Sequence, residues 1–205
     1  MNGERQVCIE CLSALNETLL SPVADNLVER KLAGRMPLQA AMALYSYRHD
    51  NTVQALIHAM KFHDNTELCL MMGRQLGLEL MRSGRFDDVD ALVPVPLHWW
   101  RRMRRGYNQS ELLCRGIATV MPRKVFTDVV IRHRYTRQQS LQSAVARSHN
   151  VDGAFRLRHS RQLEGRHILL VDDVLTTGAT LGACTDVLLG IKDVRLSVAT
   201  LSMAS

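Results

Sequence analysis

The chain has 205 residues, 46% of them apolar, and a formal net charge of +6. That length suits one ordinary domain with its own core, and the apolar content excludes global disorder. No apolar run approaches the roughly 18 residues that a membrane-spanning helix needs.

The N-terminus opens on Met1-Asn2-Gly3-Glu4-Arg5 with no signal-type apolar stretch, so the expected location is cytoplasmic. Five cysteines are present: Cys8 and Cys11 form a C-x-x-C pair, while Cys69, Cys114 and Cys184 stand singly in apolar surroundings. An odd, scattered set argues against a disulfide framework. The charge is uneven. Residues 98–166 hold 15 Lys and Arg against 4 Asp and Glu, a net +11, and the rest of the chain is −5. A local positive field of this kind points to an anionic ligand, either a nucleic acid or a small polyphosphate.

In chain order, Ser21-Pro22 is expected to open a short helix to about Leu32, stopped by Gly34. Ala40 to Tyr47 reads as a strand. Val53, Leu56, Ile57 and Met60 give 52–62 helical spacing, and a second helix is expected over 66–81. Val89 to Val95 is a short apolar strand. Residues 107–120 form a helix with an Asn108/Glu111 capping box and an apolar face of Leu113, Ile117 and Val120. Residues 124–131 are strand-like, 132–150 a long basic loop, and 154–157 a short strand. His167 to Val171 is a buried strand, Thr180 to Leu189 a helix, and Val194 to Leu201 a last strand. Strands alternating with helices imply an α/β fold with an open, doubly wound, mainly parallel sheet, whose ligands sit at the carboxyl ends of its strands.

The segment carrying most chemistry is Val171-Asp172-Asp173-Val174-Leu175-Thr176-Thr177-Gly178-Ala179-Thr180. An apolar strand ends in two carboxylates, a loop of small and hydroxyl residues follows, and a helix begins. Backbone N–H groups of such a loop and the helix N-terminus form an anion nest. Gly178 permits close backbone approach, and Thr176, Thr177 and Thr180 add hydroxyl donors. The aspartates would repel a phosphate but suit the two hydroxyls of a ribose diol. The pattern therefore describes a ribose 5-phosphate site. It lacks the G-x-x-x-x-G-K-[ST] of a Walker loop.

This segment resembles the phosphoribosyl-pyrophosphate motif of type I phosphoribosyltransferases. Two more segments narrow the likeness: Val93-Pro94-Val95-Pro96-Leu97-His98 followed by Arg101, Arg102, Arg104, Arg105, Gly106, Tyr107, Asn108 and Gln109, and then Arg137-Gln138-Gln139-Ser140-Leu141, Arg147, Asn150 and Gly153-Ala154-Phe155. Together they resemble the ComF family, which includes the GntX-type proteins and is linked to DNA uptake in natural competence. The resemblance implies a type I phosphoribosyltransferase fold with an N-terminal α+β hood over 37–86 and a core over 87–205. Val95, Pro96, Leu97 and His98 would lie beside the pyrophosphate, and Mg²⁺ would arrive with the substrate. Such proteins usually carry a zinc module of two C-x-x-C pairs. Here only Cys8 and Cys11 stand, half of a zinc site, and 1–36 reads as a remnant of that module and a linker.

The run Trp99-Trp100-Arg101-Arg102-Met103-Arg104-Arg105 leaves two readings open. Its arginines can contact a departing pyrophosphate, with Arg134 and Arg137 closing over it from the long loop. Alternatively the tryptophans stack on single-stranded DNA while the arginines track phosphates. The function expected is transfer of a phosphoribosyl group to a nitrogenous acceptor, with Asp173 as candidate base and a place in nucleotide metabolism or competence. The alternative is a non-catalytic sensor of phosphoribosyl pyrophosphate or a nucleotide, or a DNA-binding factor. Oligomeric state is open, a homo-oligomer included.

Overall fold

The computed structural model describes residues 15, 17–18, 20–47, 51–62, 65–133 and 153–204. Five parallel strands form the main sheet: β1 (Ala41–Tyr47), β2 (Ala91–Pro94), β3 (Lys124–Val125), β6 (His167–Leu175) and β7 (Arg195–Ala204). Their order is β1-β7-β6-β2-β3. A separate antiparallel pair joins β4 (Val130–Arg132) to β5 (Phe155–Leu157). The helices are α1 (Leu27–Leu32), α2 (Asn51–Phe62), α3 (Thr66–Ser83), α4 (Trp99–Arg105), α5 (Gln109–Ala118) and α6 (Ala179–Leu188).

Strands buried on both faces read as nearly continuous apolar runs, which is why β2 and the first half of β6 carry no polar alternation. All four β2 residues are buried. One face of the sheet packs Ala43, Val93, Ile168, Leu170 and Val198 against Val28 and Leu32 of α1 and Leu181, Cys184 and Leu188 of α6. The other packs Met42, Leu92, Leu169, Val171 and Ala199 against Ile57 and Met60 of α2, Leu68, Met72 and Leu76 of α3, and Leu113 and Ile117 of α5. The sheet is thus doubly wound, as expected.

The topology decides where the site lies. After β2 the chain moves outward to β3, then returns to the other side of β2 as β6. A parallel sheet opens a crevice at the carboxyl ends of strands flanking such a reversal. Here those strands are β2 and β6, in register through Pro94 and Val171.

Helices α3 and α5 approach closely enough to exclude side chains. A Cβ on Gly73 would lie 2.3 Å from the Leu113 carbonyl oxygen, and one on Gly116 2.3 Å from that of Leu70. This contact seats α5, whose first turn reaches the crevice.

Several boundaries differ from expectation, each for a local reason. The first helix starts not at Pro22 but after Asn26, whose side chain accepts from the N–H groups of Val28 and Glu29. The sequence assigns 1–36 to a remnant and linker, yet Val28, Leu32 and Met36 sit in the core against α6. The run 99–105, given no secondary structure above, is helical, capped by His98 at one end and ended by Gly106 at φ +80°. The strand-like stretch 124–131 splits between β3 on the main sheet and β4 on the small one. Asn108 does cap α5, accepting from Ser110 N–H at 3.2 Å, but Glu111 turns to Arg115 at 2.8 Å rather than completing a box.

Candidate functional site

Strand β6 does not stop at Val171. It runs to Leu175, with Asp172 opposite Thr200 and Val174 opposite Ser202 of β7. The two aspartates therefore stand on a sheet-held backbone rather than on a free loop, both partly buried. Asp172 Oδ1 accepts the Ser110 hydroxyl from α5 at 2.9 Å and its neighbour's N–H, that of Asp173, at 2.9 Å. Asp173 Oδ2 lies 2.8 Å from Nζ of Lys61, at the end of α2. Burial, and then the adjacent Asp173 charge, push the Asp172 carboxyl up to about 7, against the Asp173 N–H, the Ser110 hydroxyl and Lys61, which favour the charged form. A carboxyl perturbed by burial and by a neighbouring like charge makes this end of β6 the candidate site.

The backbone next to Lys61 is anchored. Tyr107 Oη and Gln109 Nε2 both donate to the Met60 carbonyl, at 2.8 and 3.3 Å. Tyr107 therefore fastens α2 to the start of α5 at this point.

Past β6, Thr176 is exposed, Thr177, Ala179 and Thr180 are partly buried, and Gly178 is buried. Gly178 precedes α6 at φ +78° and offers no side-chain cap. Thr177 Oγ1 accepts the Ala179 N–H at 3.4 Å, a long hydrogen bond at the start of the helix. The positive φ is one reason for the glycine, and another is Leu32, whose Cδ2 would lie 2.9 Å from any Cβ there. Arg35 closes the same corner, its Nη1 donating to the Thr177 carbonyl.

The segment after β2 lies alongside. Val95 N–H donates to the Val171 carbonyl at 2.9 Å, and Asn108 Nδ2 donates to the Val95 carbonyl at 3.0 Å. Val95 and His98 are buried, Pro96 and Leu97 partly so. The His98 side chain caps α4, with Nδ1 accepting from Trp100 N–H at 3.2 Å. The fold thus brings Val95–His98, Asp172, Asp173 and Thr176–Thr180 to one end of adjacent strands.

Helix α4 projects from that end. Trp99 and Trp100 are 57% and 52% exposed and meet edge to face at 5.8 Å. Arg102 is exposed and 3.7 Å from Glu111, Arg104 is exposed, and Arg105 reaches Gln109 at 3.3 Å. Elsewhere in the basic stretch, Lys124 and Arg166 flank the Phe126 ring, and Arg123 Nε donates to the Val89 carbonyl at 2.6 Å. The Arg101 side chain, Arg134, Arg137, Cys8 and Cys11 lie outside the described residues.

A family model described as "Phosphoribosyl transferase domain" matches residues 108–202. The chain is 38% identical over 137 residues to a DNA utilization protein YhgH of Escherichia coli (strain K12), covering 65% of this chain and 60% of that one. It is 33% identical over 147 residues to Competence protein F of Haemophilus influenzae, covering 69% and 64%. The chain belongs to the phosphoribosyltransferase superfamily, in its ComF-type branch. This ComF-type chain spans about three fifths of the length of the curated relatives it matches. Among its described residues no helix is long and apolar enough to cross a membrane.

Lys61 and Arg35 escaped the sequence reading. Each is a single cation in a stretch without a motif, brought to the site only by tertiary packing.

Proposed function

We propose that this ComF-type protein binds 5-phosphoribosyl-1-pyrophosphate across the β2–β6 crevice and transfers its phosphoribosyl group to a nitrogenous acceptor. One observation carries the reading: two aspartates with unequal partners stand near the end of β6, and a short loop leads from them into a helix whose cap residue, Gly178, has no side chain to occupy its N-terminus. In this reading Asp172 and Asp173 accept the ribose hydroxyls, the backbone and hydroxyls of Thr176 to Thr180 hold the 5-phosphate, and Val95 to His98 flank the pyrophosphate.

In the transfer, the acceptor nitrogen forms a bond to C1 as the C1–O bond breaks, and pyrophosphate leaves with the electron pair. The acceptor's proton passes to a base, for which Asp173 is the candidate once the ligand displaces Lys61. Guanidinium donors stabilise the leaving charge; Arg102 and Arg104 are the exposed ones nearest in sequence, with Arg134 and Arg137 as further candidates. The hard oxygens of Asp172 and Asp173 suit Mg²⁺, and among the described residues no three His, Cys, Asp or Glu side chains form a cage of their own. Mg²⁺ bound there with the substrate would supply charge neutralisation for the leaving pyrophosphate. Cys8 and Cys11 would supply only two of the four ligands a structural zinc needs, and the chain would act in the cytoplasm.

Calorimetric titration with phosphoribosyl pyrophosphate and Mg²⁺ tests the ligand. Binding is expected for the unsubstituted chain and lost in Asp172→Asn/Asp173→Asn. Absence of binding at millimolar ligand overturns the reading. Pyrophosphate release across a panel of bases then separates a transferase from a sensor.

A second reading rests on the exposed Trp99 and Trp100 beside Arg102 and Arg104, which suit stacking and phosphate contact with single-stranded DNA. The names of two relatives, DNA utilization protein YhgH and Competence protein F, support it. Affinity for single strands that falls steeply with salt, and further in Arg102→Ala/Arg104→Ala, is the expected result; a flat salt dependence contradicts it.

A further inference from the structure

We propose that Arg35, carried by the segment behind α1, is the cation that binds the 5-phosphate, so that the chain N-terminal to the sheet completes the phosphate site. The inference rests on the phosphoribosyl pyrophosphate reading and extends it to a residue outside the matched 108–202 region.

The argument starts from charge. Residues 174–180 contain no charged side chain, and the residues before them, Asp172 and Asp173, are both acidic. A phosphate monoester near neutral pH carries a charge of about −1.5 to −2. Backbone N–H groups and threonine hydroxyls supply dipoles, but a dianion beside two carboxylates also calls for a cation. Lys61 is engaged on the diol side with Asp173. On the phosphate side, Arg35 Nη1 stands 4.0 Å from the position of a Cβ on Gly178 and donates to the Thr177 carbonyl. A guanidinium has five N–H donors in a planar fork, so one bond to the loop's backbone leaves others to meet phosphate oxygens. Its contact with the Thr177 carbonyl also fixes the loop's outer edge.

The mount is rigid enough for such a role. Asn26 Nδ2 donates to the Ala41 carbonyl at 2.9 Å, and Glu29 Oε1 accepts the Ala41 N–H at 2.9 Å, tying α1 to β1. Arg85 Nη2 holds the same Glu29 oxygen at 2.7 Å. Lys31 Nζ donates to the Ala204 carbonyl at the end of β7. Leu32 packs under Gly178, and Thr185 of α6 reaches Met36 Sδ at 3.6 Å. Arg35 is thus bracketed by Leu32 and Met36, both buried against the helix whose N-terminus it faces.

The test uses calorimetry on the full chain and on Arg35→Ala and Arg35→Lys, with three probes: phosphoribosyl pyrophosphate with Mg²⁺, ribose 5-phosphate, and pyrophosphate with Mg²⁺. Arg35 is exposed, so both variants are expected to melt like the parent. Arg35→Ala should weaken phosphoribosyl pyrophosphate and ribose 5-phosphate by about tenfold or more, the scale of one charge-assisted hydrogen bond. Pyrophosphate binding should stay within about twofold on the same affinity scale, and Arg35→Lys should recover part of the loss. Unchanged binding of ribose 5-phosphate in Arg35→Ala, or an equal loss for pyrophosphate, overturns the inference while leaving the ligand reading intact. An unsubstituted chain that binds none of the three probes overturns both.

Discussion

Strand β6 treats polar groups in opposite ways at its two ends. At the amino end, His167 is buried and both ring nitrogens are used: Nδ1 meets Asp88 at 2.9 Å and Nε2 meets the Ser197 hydroxyl at 2.9 Å. Its N–H donates to Asp90 at 2.8 Å, and Arg195 joins Asp88 at 2.6 Å. At the carboxyl end, Asp172 and Asp173 crowd two negative charges together against one lysine and one hydroxyl. The first end is a completed network that fastens β6 to β7. The second leaves two adjacent carboxylates sharing few partners, which is why the proposed ligand is placed at that end.

The comparison has consequences that can be ranked. The largest is reached through α5. Gly116→Ala forces a Cβ to within 2.3 Å of the Leu70 carbonyl oxygen, so α5 must shift. A loss of about 1–3 kcal/mol or more in chemical denaturation is expected. Because Ser110 rides on α5, binding of phosphoribosyl pyrophosphate should weaken too, which would tie the carboxyl end to that helix contact.

Next is Asp172→Asn. Because the folded carboxyl is raised to about 7 from an ordinary 3.8, the folded state holds its proton where the unfolded state has lost it. The native carboxyl therefore costs stability progressively as pH rises from about 4 to 7. The amide removes that cost and keeps an acceptor for Ser110. Thermal melts should show the variant more stable by on the order of 2 kcal/mol at pH 8, with the gain shrinking through pH 6 and gone below about pH 4.

The smallest effect has the opposite sign. Burial raises the Asp88 carboxyl, but the Arg195 hydrogen bond and the neighbouring His167 outweigh it and hold the group below its ordinary range. A depressed carboxyl stabilises above its unfolded pKa and loses that contribution as pH falls through the folded value. Asp88→Asn should lower stability by less than about 1 kcal/mol at pH 7, since Asp88 is largely exposed. The difference from the parent should vanish in acid. Matching pH trends at the two ends would remove the distinction between them.

Much of this arrangement was legible in the sequence. The alternation of apolar strands and periodic helices gave the doubly wound sheet, and the residue types of 171–180 marked a strand leading through a short loop into a helix. What the sequence hid was non-local. Nothing in the sequence marks Gly73 and Gly116, because the close crossing of α3 and α5 appears only when both helices are in place. Arg35 lay in a stretch taken for linker, since its buried neighbours Val28, Leu32 and Met36 fall in a segment too short for a firm period. Lys61 ended an amphipathic helix and carried no signal that Asp173 waited opposite. The two aspartates also looked like the end of a strand, whereas pairing with β7 carries β6 on to Leu175.

The most direct test of the account is the ligand-induced thermal shift measured on the parent, Asp88→Asn and Asp172→Asn/Asp173→Asn. A ligand at about a hundred times its Kd should raise the melting temperature by on the order of 5 °C. The account predicts that phosphoribosyl pyrophosphate with Mg²⁺ shifts the parent and the amino-end variant alike and leaves the carboxyl-end variant unmoved. An equal shift in all three, or none in the parent, would contradict it.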